Sequence, residues 1–185
     1  MNLVMQKISC LALALSITCA VSSQVSASAA GKTVSFKYKE GFERKPKDII
    51  NTLKDNEVAR FTTMLDGLTQ AHGLDMTLKN NGPFTFFAVS DSDFKKLPND
   101  DKDTLWANKD KLKQVLSYHV VNGIYKEDAL SKMTTLKTME GHDITIEKKD
   151  GSLYIDGVLV KVADIPCTNG EMYVIEKLIM PPLTK

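Results

Sequence analysis

The spacing of apolar residues changes near the middle of the chain. In the first half, apolar positions recur every three or four residues, which is the period of an amphipathic helix. This period predicts a short helix just after Pro46, a longer one from a cap at Asn56 to Gly73, and a third from a cap at Asn108. The positions on the core-facing sides of these helices are Ile49, Ile50, Leu53, Val58, Phe61, Met64, Leu65, Leu68, Leu112, Val115, Leu116 and His119.

In the second half, apolar and polar residues alternate, which is the pattern of strands. Asp150-Gly151 and Asp156-Gly157 are dipeptides of the kind that form tight hairpin turns between such strands. The residues that mark the three strands around these turns are Ile144, Ile146, Leu153, Ile155, Val158, Val160 and Val162. Helices gathered in the first half and an antiparallel sheet in the second predict the α+β class.

The last strand is apolar on both faces. It follows Asn169-Gly170, which is predicted to supply the positive φ angles of a tight turn, and Pro181-Pro182 ends it. Because neither face is polar, the strand is predicted to run through the middle of a packed sheet. Its two faces are Met172, Val174, Leu178 and Met180 on one side and Tyr173, Ile175 and Ile179 on the other.

The N-terminal residues have the pattern of a secretory signal peptide. Lys7 precedes a run of about fourteen mostly apolar residues, Ile8 to Val21, which is too short to span a bilayer comfortably. Val25-Ser26-Ala27 fits the small-x-Ala site that a signal peptidase cleaves. We therefore predict a signal peptide over residues 1–27, a polar extension over 28–45 and one domain over 46–182. The alternative is an N-terminal membrane anchor that stays in place.

Charge and cysteine content narrow the possible partners. Removing the predicted leader takes one lysine from 24 basic residues and leaves 23, which equals the 23 acidic residues. A neutral chain with interleaved charges lacks the basic face that nucleic acid requires and the polybasic cluster that anionic membranes attract. Cys10 and Cys19 leave with the leader, so Cys167 alone remains and no internal disulfide is possible.

The sequence carries little that resembles catalytic or metal-binding chemistry. His72, His119 and His142 lie far apart, with no pair at the spacing of a zinc site, and Ser90 lacks the glycines of a nucleophile elbow. We therefore predict no enzyme activity, no metal and no cofactor. Two acidic clusters lack the pattern of a calcium loop and are interpreted as helix starts: Asp91 and Asp93, and Asp100, Asp101 and Asp103.

Three stretches in order resemble the motifs of one family. They are Thr85 to Phe94, Tyr118 to Gly123, and the last strand with its lead-in Val162-Ala163-Asp164-Ile165. Together they resemble the fasciclin, or FAS1, domain over about residues 48–182. The resemblance implies a compact antiparallel β-sandwich or wedge with several short helices packed against it, mainly from the first half of the chain. Relatives usually have Ala-Pro-Thr where this chain has Ala88-Val89-Ser90, so the proline kink is missing and the capping hydroxyl remains.

The resemblance implies two kinds of role for the motif residues. A mainly structural role is implied for Thr85, Phe86, Phe87, Ala88, Phe94, Asn169 and Gly170. Partner binding is implied for Tyr118, His119, Asp164 and Ile165. From the residues themselves we favour a structural role for both pairs: a buried histidine whose ring nitrogens are bound by neighbouring groups in the first pair, and an ordinary strand end in the second.

The resemblance also implies a function. A single domain behind a short leader is similar to bacterial members of the family, exported to the periplasm or beyond the cell, where it can associate with a surface. The implied role is a non-catalytic adhesion or interaction module that binds a protein or surface glycan, with no nucleic acid partner and no membrane span after cleavage. The alternative is a carrier of a small apolar ligand, a pigment or lipid, held in a pocket of the fold.

Overall fold

The structure is a computed structural model that describes residues 34–35, 46–56 and 59–182. The predicted signal peptide, nearly all of the predicted polar extension and Val58 lie outside the described residues. No helix within the described ranges combines the length and the apolar character needed to cross a bilayer.

Seven helices and eight strands are found in the described ranges. The helices are α1 (Ile49–Lys54), α2 (Thr62–Gln70), α3 (Leu74–Asn80), α4 (Asp91–Phe94), α5 (Asn99–Ala107), α6 (Lys109–Tyr118) and α7 (Glu127–Leu130). The strands are β1 (Val34–Ser35), β2 (Phe84–Val89), β3 (Val120–Asn122), β4 (Thr135–Lys137), β5 (Asp143–Lys149), β6 (Ser152–Ile155), β7 (Val158–Cys167) and β8 (Gly170–Ile175). The helices lie mostly in the first half, which confirms the predicted α+β class.

The sheet is nearly closed. Its strand order is β3-β2-β8-β7-β6-β5-β4, and β1 adds to β7 in parallel. The neighbours along this order are antiparallel except for β2 and β8, which run parallel. A bridge between Val121 and Thr138, with a hydrogen bond from Met139 N to Val120 O, brings the ends of the sheet together. The core fills the space between this curved sheet and the helices.

The last strand lies in the middle of the sheet, as its two apolar faces predict. β8 pairs with β2 on one side and β7 on the other, and all six of its residues are buried. It ends at Ile175, earlier than predicted, because its neighbour β2 also ends there, at Val89. Beyond this point Leu178 and Ile179 are still buried, whereas Met180 is 44% exposed and does not face the core.

The prediction for Asn169-Gly170 was wrong in its mechanism. Neither residue is among the described positions with a positive φ. The Asn169 side chain instead accepts a hydrogen bond from Ile49 N at 2.9 Å and donates one to the Leu78 carbonyl, so it links α1 and α3 to the sheet. Gly170 is required because an added Cβ would overlap the carbonyl oxygen of Phe84 in β2.

The predicted helix from Asn56 was also wrong at both ends. The observed helix α2 begins at Thr62, where the Asp91 carboxylate accepts hydrogen bonds from the amides of Thr62 (3.2 Å) and Thr63 (2.8 Å). A cap supplied from another part of the chain has no local sequence signal. The helix ends at Gln70, and Gly73, with φ 76°, precedes α3, which was not predicted.

Elements with local capping or turn signals formed as predicted. Asp48 caps α1, and Asn108 caps α6 by accepting hydrogen bonds from the amides of Asp110 and Lys111. Both hairpin turns use left-handed backbone, with φ 53° and 79° at Asp150-Gly151 and φ 48° and 72° at Asp156-Gly157. Asp91 and Asp93 lie in the first turn of α4, and Asp100 and Asp101 lie in the first turn of α5, whereas Asp103 lies one turn further on.

Candidate functional site

Asp164 lies at an irregularity in β7 and holds a loop in place. The register of β7 against β8 shifts between Val162 and Ile165, and Asp164 itself has φ 54°. Its Oδ1 atom accepts a hydrogen bond from Glu127 N at 2.9 Å and lies 2.7 Å from the hydroxyl of Tyr173. The β-bulge therefore turns a half-buried carboxylate toward the start of α7.

Side chains from β2 and β8 also hold the loop before α7. Thr85 in β2 donates a hydrogen bond to the Gly123 carbonyl at 2.8 Å and accepts one from Tyr125 N at 3.0 Å. The Tyr173 hydroxyl lies 2.7 Å from the Tyr125 carbonyl oxygen. We call residues 123–127 and 164–166 together the loop-and-bulge surface. The side chain of Ile124 is 52% exposed at its centre.

A buried carboxylate lies beneath this surface. Glu171 in β8 is 5% exposed and pairs in register with Thr85 of β2. Burial raises the pKa of the Glu171 carboxyl, the nearby Asp164 charge raises it further, and the Lys126 ammonium opposes the shift. The other half of the predicted Asp164-Ile165 pair, Ile165, is 4% exposed and belongs to the core.

Tyr118 and His119 lie in the interior, 3% and 0% exposed. The Tyr118 hydroxyl is 2.8 Å from Asp156 Oδ2 and 3.1 Å from the Asp143 carbonyl oxygen. Burial raises the pKa of this phenol, and its hydrogen bond to the Asp156 carboxylate raises it further. These contacts hold the end of α6 against the hairpins of the second half.

Both ring nitrogens of His119 have partners. Nε2 accepts a hydrogen bond from Ile179 N at 3.3 Å, so Nδ1 carries the proton and donates to the Val115 carbonyl at 2.8 Å. Burial lowers the pKa of His119 to about 4, so the ring is neutral at ordinary pH. The hydrogen-bond partners of Tyr118 and His119 include none of those of Asp164. The contribution of these four motif residues to partner binding stays a prediction.

The structure places the other motif residues in the interior. Thr85, Phe86, Phe87 and Ala88 are fully buried in β2, and Phe94 is 2% exposed. The Phe87 ring packs against Tyr173 with centroids 5.6 Å apart. Ser90 caps α4 by accepting a hydrogen bond from the Asp93 amide at 3.3 Å. The capping hydroxyl therefore acts as predicted even though this chain lacks the proline.

A buried carboxylate that binds two lysines borders an apolar groove. Both Asp93 oxygens bind Lys161 Nζ, at 2.7 and 2.8 Å, and Oδ1 also binds Lys96 Nζ at 2.8 Å. Burial alone would raise the pKa of the Asp93 carboxyl, but hydrogen bonds from Lys161, Lys96 and Ser90 outweigh it and lower the pKa. The adjacent groove has a volume of about 720 Å³, and its apolar lining includes Leu97, Tyr154, Val158, Leu159, Leu178 and Met180.

Metal-binding and nucleophilic groups are sparse in the part of the chain that the structure describes. No group of three or more His, Cys, Asp or Glu side chains within it is placed to hold a metal ion. Burial raises the pKa of the Cys167 thiol to about 11, which disfavours the reactive thiolate. The sequence did not indicate the position of the groove or the Thr85 contacts, although a threonine inside an otherwise apolar strand is a signal for a buried hydrogen bond.

The nearly closed sheet with helices on one side defines the class of fold. A solved structure, the FAS1 domain pair from the insect cell adhesion molecule Fasciclin I, matches with a TM-score of 0.59 at 19% identity. The match covers 73% of this chain and 51% of that one, and at this identity it shows the fold alone. Residues 59–181 also match the Fasciclin domain family. The chain therefore belongs to the fasciclin domain family.

The matched region makes up very different shares of two curated relatives. An uncharacterized protein of Synechocystis sp., sll1735, is 36% identical over 121 residues, which are 65% of this chain and 90% of that protein. Transforming growth factor-beta-induced protein ig-h3 of Sus scrofa is 30% identical over 137 residues, which are 74% of this chain but 20% of that protein. The chain thus spans nearly all of the cyanobacterial relative and one fifth of the animal one.

Proposed function

We propose that this chain is an exported fasciclin-type interaction module that binds an extracellular protein or a surface glycan and catalyses no reaction. Membership of the fasciclin family, together with the fold shared with an insect cell adhesion molecule, carries the proposal. The signal-peptide pattern at the N-terminus supports export to the periplasm or beyond the cell.

The loop-and-bulge surface is the proposed contact region. Thr85 and Asp164 fix the backbone of the loop on both sides, so Ile124 is presented with little further loss of conformational freedom on binding. In this proposal Asp164 and Ile165 shape the bulge, while Tyr118 and His119 support the fold from the interior. One such patch binds weakly, and many copies on a surface would strengthen the attachment through avidity.

The state of the best nucleophiles supports a non-catalytic role. A general base needs a free nitrogen at reaction distance, and both ring nitrogens of His119 are engaged in the interior. The Cys167 thiol is held in its protonated form by burial. Neither residue is prepared for acid, base or nucleophilic catalysis.

The test compares two exposed apolar side chains in different places. Immobilised protein should retain cells or matrix from its native host, and Ile124→Ser should lower that retention about fivefold to tenfold because it removes a central anchor. Met76→Ser is the matched control, since Met76 is 54% exposed but lies on α3, away from the proposed surface. Melting temperatures of both variants should match the unmodified protein. Equal retention by the two variants would contradict the proposed surface.

The groove beside Asp93 favours one second candidate, a carrier of a small apolar ligand. Its volume of about 720 Å³ falls within the range of about 300–1,000 Å³ typical of ligand pockets, and its lining is largely apolar. Protein purified from its native host should then carry a chromophore or lipid, visible in its absorption spectrum or intact mass. A clean apoprotein would argue against the carrier and leave the interaction module in place.

A further inference from the structure

Trp106, the one tryptophan of the sequence, lies half-buried on α5 in a shallow pocket of about 340 Å³. The ring of Phe94 meets it edge-on, with centroids 5.9 Å apart and planes at 88°. Gly67 of α2 lies against another side of the indole, since a Cβ built on this glycine would be in van der Waals contact with Trp106 Cζ2, at 3.7 Å. The indole is therefore held between α2 and α4. Its N–H makes no hydrogen bond to any residue that the structure describes.

The rim of this pocket combines fixed acceptors with donors. The Asp91 carboxylate is oriented by the amides of Thr62 and Thr63, and each of its oxygens keeps a further lone pair. Burial would raise the pKa of Asp91, but these hydrogen bonds outweigh it and lower the pKa, so the group is ionised at neutral pH. The other polar groups around the pocket are Thr63, Lys95, Lys102 and Asp103.

The charges around the pocket cancel, because two carboxylates face two ammonium groups. The pocket therefore does not select an ionic ligand. It offers acceptors, donors and an aromatic ring within one small volume. A ligand with hydroxyls next to an apolar face can use all three, because a hydroxyl both donates and accepts hydrogen bonds. A sugar ring has this chemistry, with C–H groups on its face and hydroxyls on its edge.

We propose that the Trp106 pocket binds one pyranose unit of an uncharged surface glycan. The sugar face stacks on the indole, and its hydroxyls bind the carboxylates of Asp91 and Asp103 and the ammonium groups of Lys95 and Lys102. The pocket volume lies at the lower end of the range of about 300–1,000 Å³ for ligand pockets, which suits a compact polar ligand. This inference rests on the proposed function. It specifies a glycan as the partner and adds the Trp106 pocket to the loop-and-bulge surface as a second contact region.

The single tryptophan makes a direct test possible. The intact protein is titrated with the methyl glycosides of glucose, galactose, mannose and N-acetylglucosamine while its intrinsic fluorescence is followed. We expect a saturable change in emission with at least one glycoside at a dissociation constant of about 1–10 mM, typical of a single weak site. N-acetyltryptophanamide titrated in parallel corrects for quenching by the sugar itself.

Two aspartates on α5 supply a matched pair of variants. Asp103→Ala removes a carboxylate from the pocket and should weaken binding about tenfold, the lower end of the loss expected for one hydrogen bond to a charged group. Asp100→Ala changes the same helix outside the pocket and should bind as the unmodified protein does. Both side chains are exposed, so neither change should alter the melting temperature.

A second measurement follows the single indole N–H peak in a ¹⁵N–¹H spectrum, which should shift on saturation. The proposal is overturned if emission and this peak stay constant with every glycoside up to about 100 mM, far above the weakest binding that a specific site would show. It is also overturned if Asp103→Ala responds like the unmodified protein. Retention that depends on Ile124 without any sugar response would reject the sugar site and keep the proposed function. A sugar response without Ile124-dependent retention would keep the sugar site and reject the loop-and-bulge surface.

Discussion

The Tyr118-His119 pair and the Asp164-Ile165 pair both resemble adhesive motifs, but they lie in different environments. His119 is fully buried and holds Ile179, in the segment after β8. Asp164 is half-buried and holds the loop over residues 123–127, in which Ile124 is exposed. Each pair holds a backbone amide through a side-chain hydrogen bond: His119 accepts from Ile179 N, and Asp164 accepts from Glu127 N. The comparison teaches that similar motif residues can support the interior in one place and an exposed surface in another.

The largest effect should come from a change that removes the support of both pairs. Gly170→Ala places a Cβ against the Phe84 carbonyl and should separate β8 from β2, with a loss of about 4 kcal/mol or more of unfolding free energy. Because Tyr173 and the segment that reaches His119 both depend on β8, both pairs should lose their protection from amide hydrogen exchange. Wild-type protection at Ile179 or Glu127 in this variant would show that the two pairs do not share a support.

Acidification should act on the interior pair. His119 has a pKa of about 4 in the folded protein and about 6.5 when unfolded, so the unfolded state binds the proton first. Its contribution of about 3 kcal/mol is fully present above pH 6.5 and is lost as the pH falls through 4. A proton NMR titration of the His119 ring checks this. A His119 midpoint near 6.5 would contradict the buried neutral ring.

Removing one hydroxyl tests the surface pair. Tyr173→Phe should lower the unfolding free energy by about 2 kcal/mol, because the Tyr125 carbonyl and the Asp164 carboxylate both lose a close hydrogen-bonding partner. Urea denaturation measures the loss, and faster exchange of the Glu127 amide should locate it in the loop. Unchanged exchange at Glu127 would mean that Tyr173 does not hold this loop.

The corresponding change in the interior pair should have the smallest effect. Tyr118→Phe should cost about 1 kcal/mol, because half-buried Asp156 keeps its hydrogen bonds from Thr145 N at 2.7 Å and from the Thr145 hydroxyl at 3.0 Å. Urea denaturation in parallel with Tyr173→Phe gives the ranking. A larger loss for Tyr118→Phe than for Tyr173→Phe would reverse the comparison.

The sequence was most informative where the determinant of structure is local. The turns at Asp150-Gly151 and Asp156-Gly157 and the cap at Asn108 each depend on residues within a few positions of one another. The same is true of the alternation that marks β5 to β7. These signals were sufficient to predict the hairpins, the α6 helix and the class of fold.

The failures involve groups that are distant in the sequence. The start of α2 is set by Asp91, which lies 28 and 29 residues from the amides that it binds. Asn169 acts through Ile49 at a separation of 120 residues, so its role as a link between helices and sheet has no local pattern. The exposure of Ile124 likewise depends on Thr85, 38 and 40 residues from its partners in the loop.

The bridge between Val121 and Thr138 has a consequence for the proposed attachment of many copies to one surface. With a formal net charge of only +1, neighbouring copies repel one another weakly, and an open sheet would expose main-chain groups onto which a second molecule could add its strands. Joining the two margins of the sheet removes most of that template. Closure thus protects against fibre formation in a molecule whose charge balance offers little such defence.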